Sequence, residues 1–87
     1  MSARVRLRAA SGEPLAEDSV SSIVVSTAEA IGERTGVRVD VISLAPDSIE
    51  LDVDGSQLAA TALAAELRRI TDQWHMDRHG GKLWGDL

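Results

Sequence analysis

The chain has 87 residues, a formal net charge of −5 and 44% apolar residues, with two Trp, no Phe and no Tyr. A chain this short forms one small domain, and its core must be filled by aliphatic side chains that pack closely. The absence of Cys excludes disulfides and thiolate zinc sites, and the acidic balance disfavours nucleic-acid binding. The N-terminus lacks a signal-peptide apolar run and no segment suggests a membrane span, so we expect a cytoplasmic protein without membrane or nucleic-acid partners.

The first predicted element is a strand. Residues 3–9 alternate between apolar and charged side chains, with Val5 and Leu7 facing inward. The outward positions carry the only basic cluster of the chain, Arg4, Arg6 and Arg8. Gly and Pro within residues 11–14 then interrupt the pattern.

Residues 17–35 are predicted to form the first helix. They carry one apolar stripe at helical spacing, which consists of Val20, Ile23, Val24, Thr27 and Ile31. Asp18 or Ser19 is suited to cap its start, and Gly36 is suited to end it.

A hairpin is predicted next, because residues 36–44 and 48–54 alternate on either side of a turn at Pro46 and Asp47. The expected inward side chains are Val37, Val39 and Val41 in its first strand and Ile49, Leu51 and Val53 in its second. Ser56 then caps a second helix over residues 57–78, which Gly80 and Gly81 end. The core stripe of that helix is expected to be Leu63, Leu67, Ile70 and Trp74.

The order of these elements is β-α-β-β-α, which predicts an α+β fold with two layers. We expect a three-stranded mixed sheet in the order 2-3-1, with two helices on one face. The first and second strands are expected to run parallel to each other, and the third antiparallel to both. Charge supports this order, since the arginines of the first strand then face acidic residues of the third, namely Glu50, Asp52 and Asp54. The domain is expected to span residues 1–79, followed by an apolar C-terminal tail at 80–87.

Asp72, His75 and His79 share one flank of the second predicted helix, and the histidines have the i, i+4 spacing common among metal ligands. The stretch HMDRH departs from the metalloprotease motif HExxH, because Met76 stands where that motif has its Glu. Arg68 lies on the same flank and would oppose a cation. We therefore favour a solvated polar flank over a metal site. A small-ligand or metal-sensing regulatory domain that uses these three residues is the second functional hypothesis.

The tail carries three large apolar residues beyond the double glycine, Leu83, Trp84 and Leu87. In one interpretation Leu83 and Trp84 fold back and cover the open end of the core. In the other, the tail is a docking peptide whose Trp enters a pocket on another subunit or protein. We choose Leu83, Trp84 and Leu87 as the candidate partner-binding residues.

No catalytic constellation or phosphate-binding loop is visible in the sequence, so we expect neither an enzyme nor a bound cofactor. The leading hypothesis is a small protein–protein interaction module, such as an adaptor, an accessory subunit or an inhibitor. Its partner is another protein or a second copy of the chain. Open strand edges favour a homo-oligomer, with the edge of the second strand the better candidate because arginines would face each other on the first.

Overall fold

The computed structural model describes residues 2–85 of the chain. It contains three strands and two α-helices in the predicted order, with a short 3-10 turn before the first helix. Their bounds are β1 Ser2–Arg8, the 3-10 turn Pro14–Ala16, α1 Asp18–Thr35, β2 Val39–Ala45, β3 Ser48–Asp54 and α2 Gln57–His79. Neither helix is long and apolar enough to cross a membrane within the residues described.

The three strands form one sheet in the order β1-β3-β2. The α+β class and the predicted strand order are confirmed. The sheet is antiparallel and not mixed, because β3 lies between the other two strands and pairs antiparallel with both, in the predicted strand directions. Strands β1 and β2 do run in the same direction, but β3 lies between them. As a result β1 and β2 are the two edges of the sheet.

The register of β1 against β3 places acidic residues opposite two of the three arginines, in the pairs Arg4–Asp52 and Arg6–Glu50. The third arginine, Arg8, stands opposite Ser48, so its predicted acidic neighbour is absent. Opposite charges on directly facing strand positions favour a register by modest amounts when they are exposed. Charge therefore helps to align this pair of strands without supplying much of its stability.

Strand β2 does not keep its predicted alternation. Its register against β3 shifts between Val41 and Ser43, which leaves Ile42 as an extra residue in a β-bulge. Beyond the bulge, Leu44 stands opposite the buried Ile49. The bulge therefore turns Leu44 toward the core side at the edge of the sheet, where 47% of it is exposed.

The core lies on one side of the sheet. Its strand residues all occupy odd positions, and α1 and α2 contribute to the same buried cluster. These strand residues are Leu7, Ile49, Leu51 and Val53, each at most 2% exposed. The predicted inward residues of β3 are confirmed, whereas Val5, Val39 and Val41 are only partly buried beside this cluster.

Helix α1 buries three of the five residues of its predicted stripe and adds two small residues that were not predicted. Its buried residues are Val20, Val24, Ala28, Ile31 and Gly32, whereas Ile23 and Thr27 are half-buried. Small side chains thus take core positions where the helix approaches its neighbours. The predicted capping by Asp18 or Ser19 is wrong, because the N-cap residue is Glu17 and its side chain makes no capping bond. The predicted end at Gly36 is confirmed by its left-handed φ of 73°.

Gly32 marks the closest approach of α1 to the chain entering β2. A Cβ at this position would lie 2.7 Å from the carbonyl oxygen of Val37 and 3.0 Å from Cγ2 of Val39. The substitution Gly32→Ala is therefore expected to lower the free energy of unfolding by about 1–3 kcal/mol through overpacking. Gly81→Ala is the matched control, since its Cβ meets nothing within 4 Å. Urea unfolding of both variants tests this, and equal stabilities would contradict the close packing.

Helix α2 begins and ends as predicted. The Ser56 hydroxyl accepts a hydrogen bond from the backbone N–H of Ala59 at 3.1 Å, and Gly80 ends the helix with φ of 78°. The buried positions of this helix are Ala60, Leu63, Ala64, Leu67 and Thr71. Ile70 and Trp74, which were predicted in the core stripe, are partly buried against its margin.

Leu15 is a core residue that the sequence pattern did not indicate. It lies in the 3-10 turn, is 5% exposed, and donates its N–H to the carbonyl of Pro46 at 2.9 Å. The segment between β1 and α1 therefore contributes to the core and is attached to the hairpin turn.

Candidate functional site

The C-terminal segment after α2 turns back onto the body of the same chain. Leu83 and Trp84 are each 1% exposed and belong to the main buried cluster. Trp84 is the largest of the fully buried side chains. The two residues therefore cover the core in cis, which is the first of the two arrangements considered from the sequence.

Asp72 on α2 holds the returning backbone. Its Oδ1 accepts hydrogen bonds from the backbone N–H groups of Leu83 at 2.9 Å and Trp84 at 3.0 Å. An ionised carboxylate makes stronger hydrogen bonds than a neutral acceptor. One side chain thus fixes the backbone of both buried tail residues.

The indole of Trp84 is anchored at its polar atom as well. Nε1 donates to Oγ1 of Thr71 at 2.7 Å, and that hydroxyl donates to the carbonyl of Leu67 at 2.6 Å. Thr71 is completely buried. A threonine at this core position is explained by the indole, since a buried N–H without an acceptor would be costly.

The tail also extends the sheet beside the end of β1. The N–H of Ala10 donates to the carbonyl of Leu83, and the N–H of Gly85 donates to that of Arg8, both at 2.9 Å. Ala9 and Trp84 form the corresponding antiparallel bridge. Residues 83–85 thus lie alongside residues 8–10, at the end of β1, through one isolated antiparallel bridge.

These contacts place two of the three candidate partner-binding residues inside the core. Leu83 and Trp84 are inaccessible in this arrangement, and Leu87 lies outside the described residues. Docking of Trp84 into a partner would require the tail to leave the core first. Leu83 and Trp84 share one core with the preceding elements. The division into a domain at 1–79 and a tail at 80–87 stays a prediction.

The candidate metal ligands have other contacts. Asp72 binds the tail, and Nδ1 of His75 donates to the carbonyl of Gly81 at 2.6 Å, which places a proton on that nitrogen. The rings of His75 and His79 are stacked at a tilt with centroids 4.7 Å apart. Within residues 2–85 no group of three or more His, Cys, Asp or Glu side chains is arranged so that it could hold a metal ion. The use of Asp72, His75 and His79 by a metal-sensing domain stays a prediction.

Two of the four exposed large apolar residues among those described lie close together on the edge strand β2. Ile42 is 44% and Leu44 47% exposed, and the two are near neighbours on one edge strand. Leu44 lines a groove of about 290 Å³ with residues of α1, which are Ser21, Ser22, Val25 and Ser26. An exposed strand edge beside apolar side chains is a surface on which another chain can pair.

No protein-family model matches this chain, and no curated protein matches its sequence. The functional argument therefore depends on the surfaces described above.

Proposed function

We propose that this chain is a small non-enzymatic protein–protein interaction module, an adaptor, accessory subunit or inhibitor, that self-associates through the edge of β2. The exposed β2 edge with Ile42 and Leu44 is the observation that carries this proposal. It takes the place of the tail as the contact surface, since the tail packs in cis. A cytoplasmic location and the lack of a cofactor belong to the same proposal, supported by the acidic composition without Cys.

The backbone of β2 is directed so that self-pairing is possible. The carbonyl of Arg38 accepts from Asp54, so Arg38 and Asp40 direct their backbone groups toward β3. Successive strand residues point to alternate edges, so the N–H and C=O groups of Val39 and Val41 face the outer edge. A second copy running antiparallel can therefore pair at Val39. With Val39 opposite Val39, Val41 stands opposite Val37, whose N–H already donates to the carbonyl of Gly32 at 2.9 Å.

Charge selects one register for this pairing. With Val39 opposite Val39 of a second copy, each Arg38 stands opposite an Asp40, and the two ion pairs are related by the two-fold axis. Centring the pair on Asp40 would instead place two carboxylates face to face. Within one chain Asp40 faces the like charge of Asp52 and pairs with Arg38 at 3.7 Å. In the dimer each Asp40 would also lie opposite Arg38 of the second copy.

The same register accommodates Ile42 without a steric clash. It brings Ile42 of one copy beside Gly36 of the other, at the end of α1. Gly36 has no side chain, and even a Cβ there would meet nothing within 4 Å. An exposed apolar residue thus faces open space next to a helix end, which fits the edge of an interface.

The substitution Asp40→Arg tests this proposal. It replaces an ion pair by facing arginines at two symmetric positions, so we expect dimer dissociation to become at least about tenfold easier. The fold should persist, because the introduced guanidinium would face the carboxylate of Asp52 within the chain. Sedimentation equilibrium gives the dissociation constant, and thermal unfolding by circular dichroism reports on the fold.

Two further proteins complete the test. Arg38→Asp combined with Asp40→Arg restores opposite charges across the interface and should recover the dimer. Asp77→Arg makes the same charge change at an exposed position of α2 outside the proposed interface, and should leave the dimer intact. Unchanged dimerisation of Asp40→Arg would refute pairing in this register.

A further inference from the structure

A second surface lies at the opposite edge of the sheet, in a groove between β1 and α2. We call it the β1 groove, and it has a volume of about 670 Å³. Its floor includes Val5 and Leu7 of β1 together with Ala64 and Ala65 of α2. Small side chains on the helix thus leave room for an apolar residue beside the strand.

The backbone of β1 is directed toward this groove. Arg8 and Ala10 direct their backbone groups to the tail on the outer edge, whereas the N–H of Ala9 points to the carbonyl of Asp47. Because strand residues alternate, Arg4 and Arg6 present their backbone groups on the same outer edge as Arg8. The tail already pairs at the end of this edge, which shows that an extended segment fits there.

The charge of the β1 groove is opposite to that of the whole protein. Its charged lining residues are four arginines and one aspartate, namely Arg4, Arg6, Arg68, Arg69 and Asp72. Arg69 pairs with Glu66 at 2.6 Å, and Arg68 donates to the carbonyl of Gly85. Arg4 and Arg6 are exposed, and they lie on the part of the β1 edge with which the tail does not pair.

We propose that the β1 groove binds an extended acidic peptide segment of a partner protein, which adds a strand to β1 beyond the tail. Alternate residues of the added strand would reach the two faces of the sheet. Acidic side chains would meet Arg4 and Arg6 on the outer face, and apolar ones would enter the groove beside Val5. On the other side of β1, strand β3 already places acidic residues opposite the same two arginines, with Asp52 opposite Arg4 and Glu50 opposite Arg6.

The test uses the full chain and a short fluorescein-labelled peptide of alternating Val and Glu, with binding followed by fluorescence anisotropy. We expect saturable binding that weakens about tenfold when Arg4→Gln and Arg6→Gln are combined, since two exposed ion pairs are lost. The control combines Arg34→Gln with Arg78→Gln, which removes the same charge outside the groove. Its affinity should change by less than about twofold.

Two control peptides separate strand addition from simple charge attraction. A Val–Lys peptide should bind poorly, and a Val–Glu peptide with methylated alternate backbone nitrogens should lose affinity, because it cannot pair along the edge. Equal binding of either control would overturn the proposal. The proposal would also be overturned if the Val–Glu peptide did not bind, while anionic vesicles or single-stranded DNA bound through Arg4 and Arg6. Repeating the titration with Asp40→Arg keeps this result independent of self-association.

Discussion

The substitution Trp84→Ala is expected to lower the free energy of unfolding by about 3–5 kcal/mol, the cost typical of removing a large aromatic side chain from a core. Trp84 is 1% exposed and fills the end of the core. The hydroxyl of Thr71 would also lose the indole N–H as its partner. Small domains have a total stability of about 5–15 kcal/mol, so this one change removes a large share. Urea unfolding followed by circular dichroism measures the loss.

Leu58→Ala provides the control for that experiment. Leu58 is the most exposed large apolar residue among those described, at 80%, so its removal should change stability by no more than about 0.5 kcal/mol. A chain that ends at His79 loses Leu83 together with Trp84, and we expect it to lose cooperative unfolding. A Trp84→Ala protein as stable as the unsubstituted chain would mean that the tail does not pack in cis in solution.

The second large effect is expected at Asp72. Asp72→Ala should lower the free energy of unfolding by about 2–3 kcal/mol, because two partly buried backbone N–H groups lose their common acceptor. Asp72→Asn keeps an oxygen acceptor of the same shape and should cost about 1 kcal/mol. Denaturant titration of both variants distinguishes loss of the acceptor from loss of the charge.

A double-substitution cycle shows whether Asp72 acts through the tail. If its effect comes from holding Leu83 and Trp84, then Asp72→Ala should cost much less in a Trp84→Ala background than in the unsubstituted protein. Additive effects would contradict this and would assign the contribution of Asp72 to α2 alone. Asp77→Ala, at an exposed site on the same helix, serves as the control in both backgrounds.

Local patterns predicted the elements of this fold well, because their causes are local. Alternation located β1 and β3, and glycine ended both helices at Gly36 and Gly80. The stripe of α1 was predicted in part, since Val20, Val24 and Ile31 are buried, but Ala28 and Gly32 were missed because they carry no large apolar side chain. They are buried because close approach of helix and sheet requires small residues there.

The bulge in β2 could have been predicted from the sequence. Val41 and Ile42 are adjacent apolar residues and break strict alternation, which is what an extra residue in an edge strand produces. Recognising this would have placed Leu44 on the core side of the sheet. The exposed edge with Ile42 would then have been identified as an apolar surface.

The placement of the tail could not be derived from periodicity. Thr71 and Asp72 are polar residues in a helix, and a solvent-facing role is their usual explanation. Their actual partners, Leu83 and Trp84, follow more than ten residues later and are brought near only by the turn at Gly80. Both alternatives for Trp84 were therefore open in the sequence, and only the tertiary contacts distinguish them.

The mass of the unsubstituted chain in solution, measured by light scattering over a dilution series, tests the central proposal of self-association most directly. We predict a species of twice the 9.3 kDa chain mass that dissociates on dilution. A mass of one chain at every concentration would contradict pairing through β2, and the exposed Ile42 and Leu44 would then require a different protein as their partner.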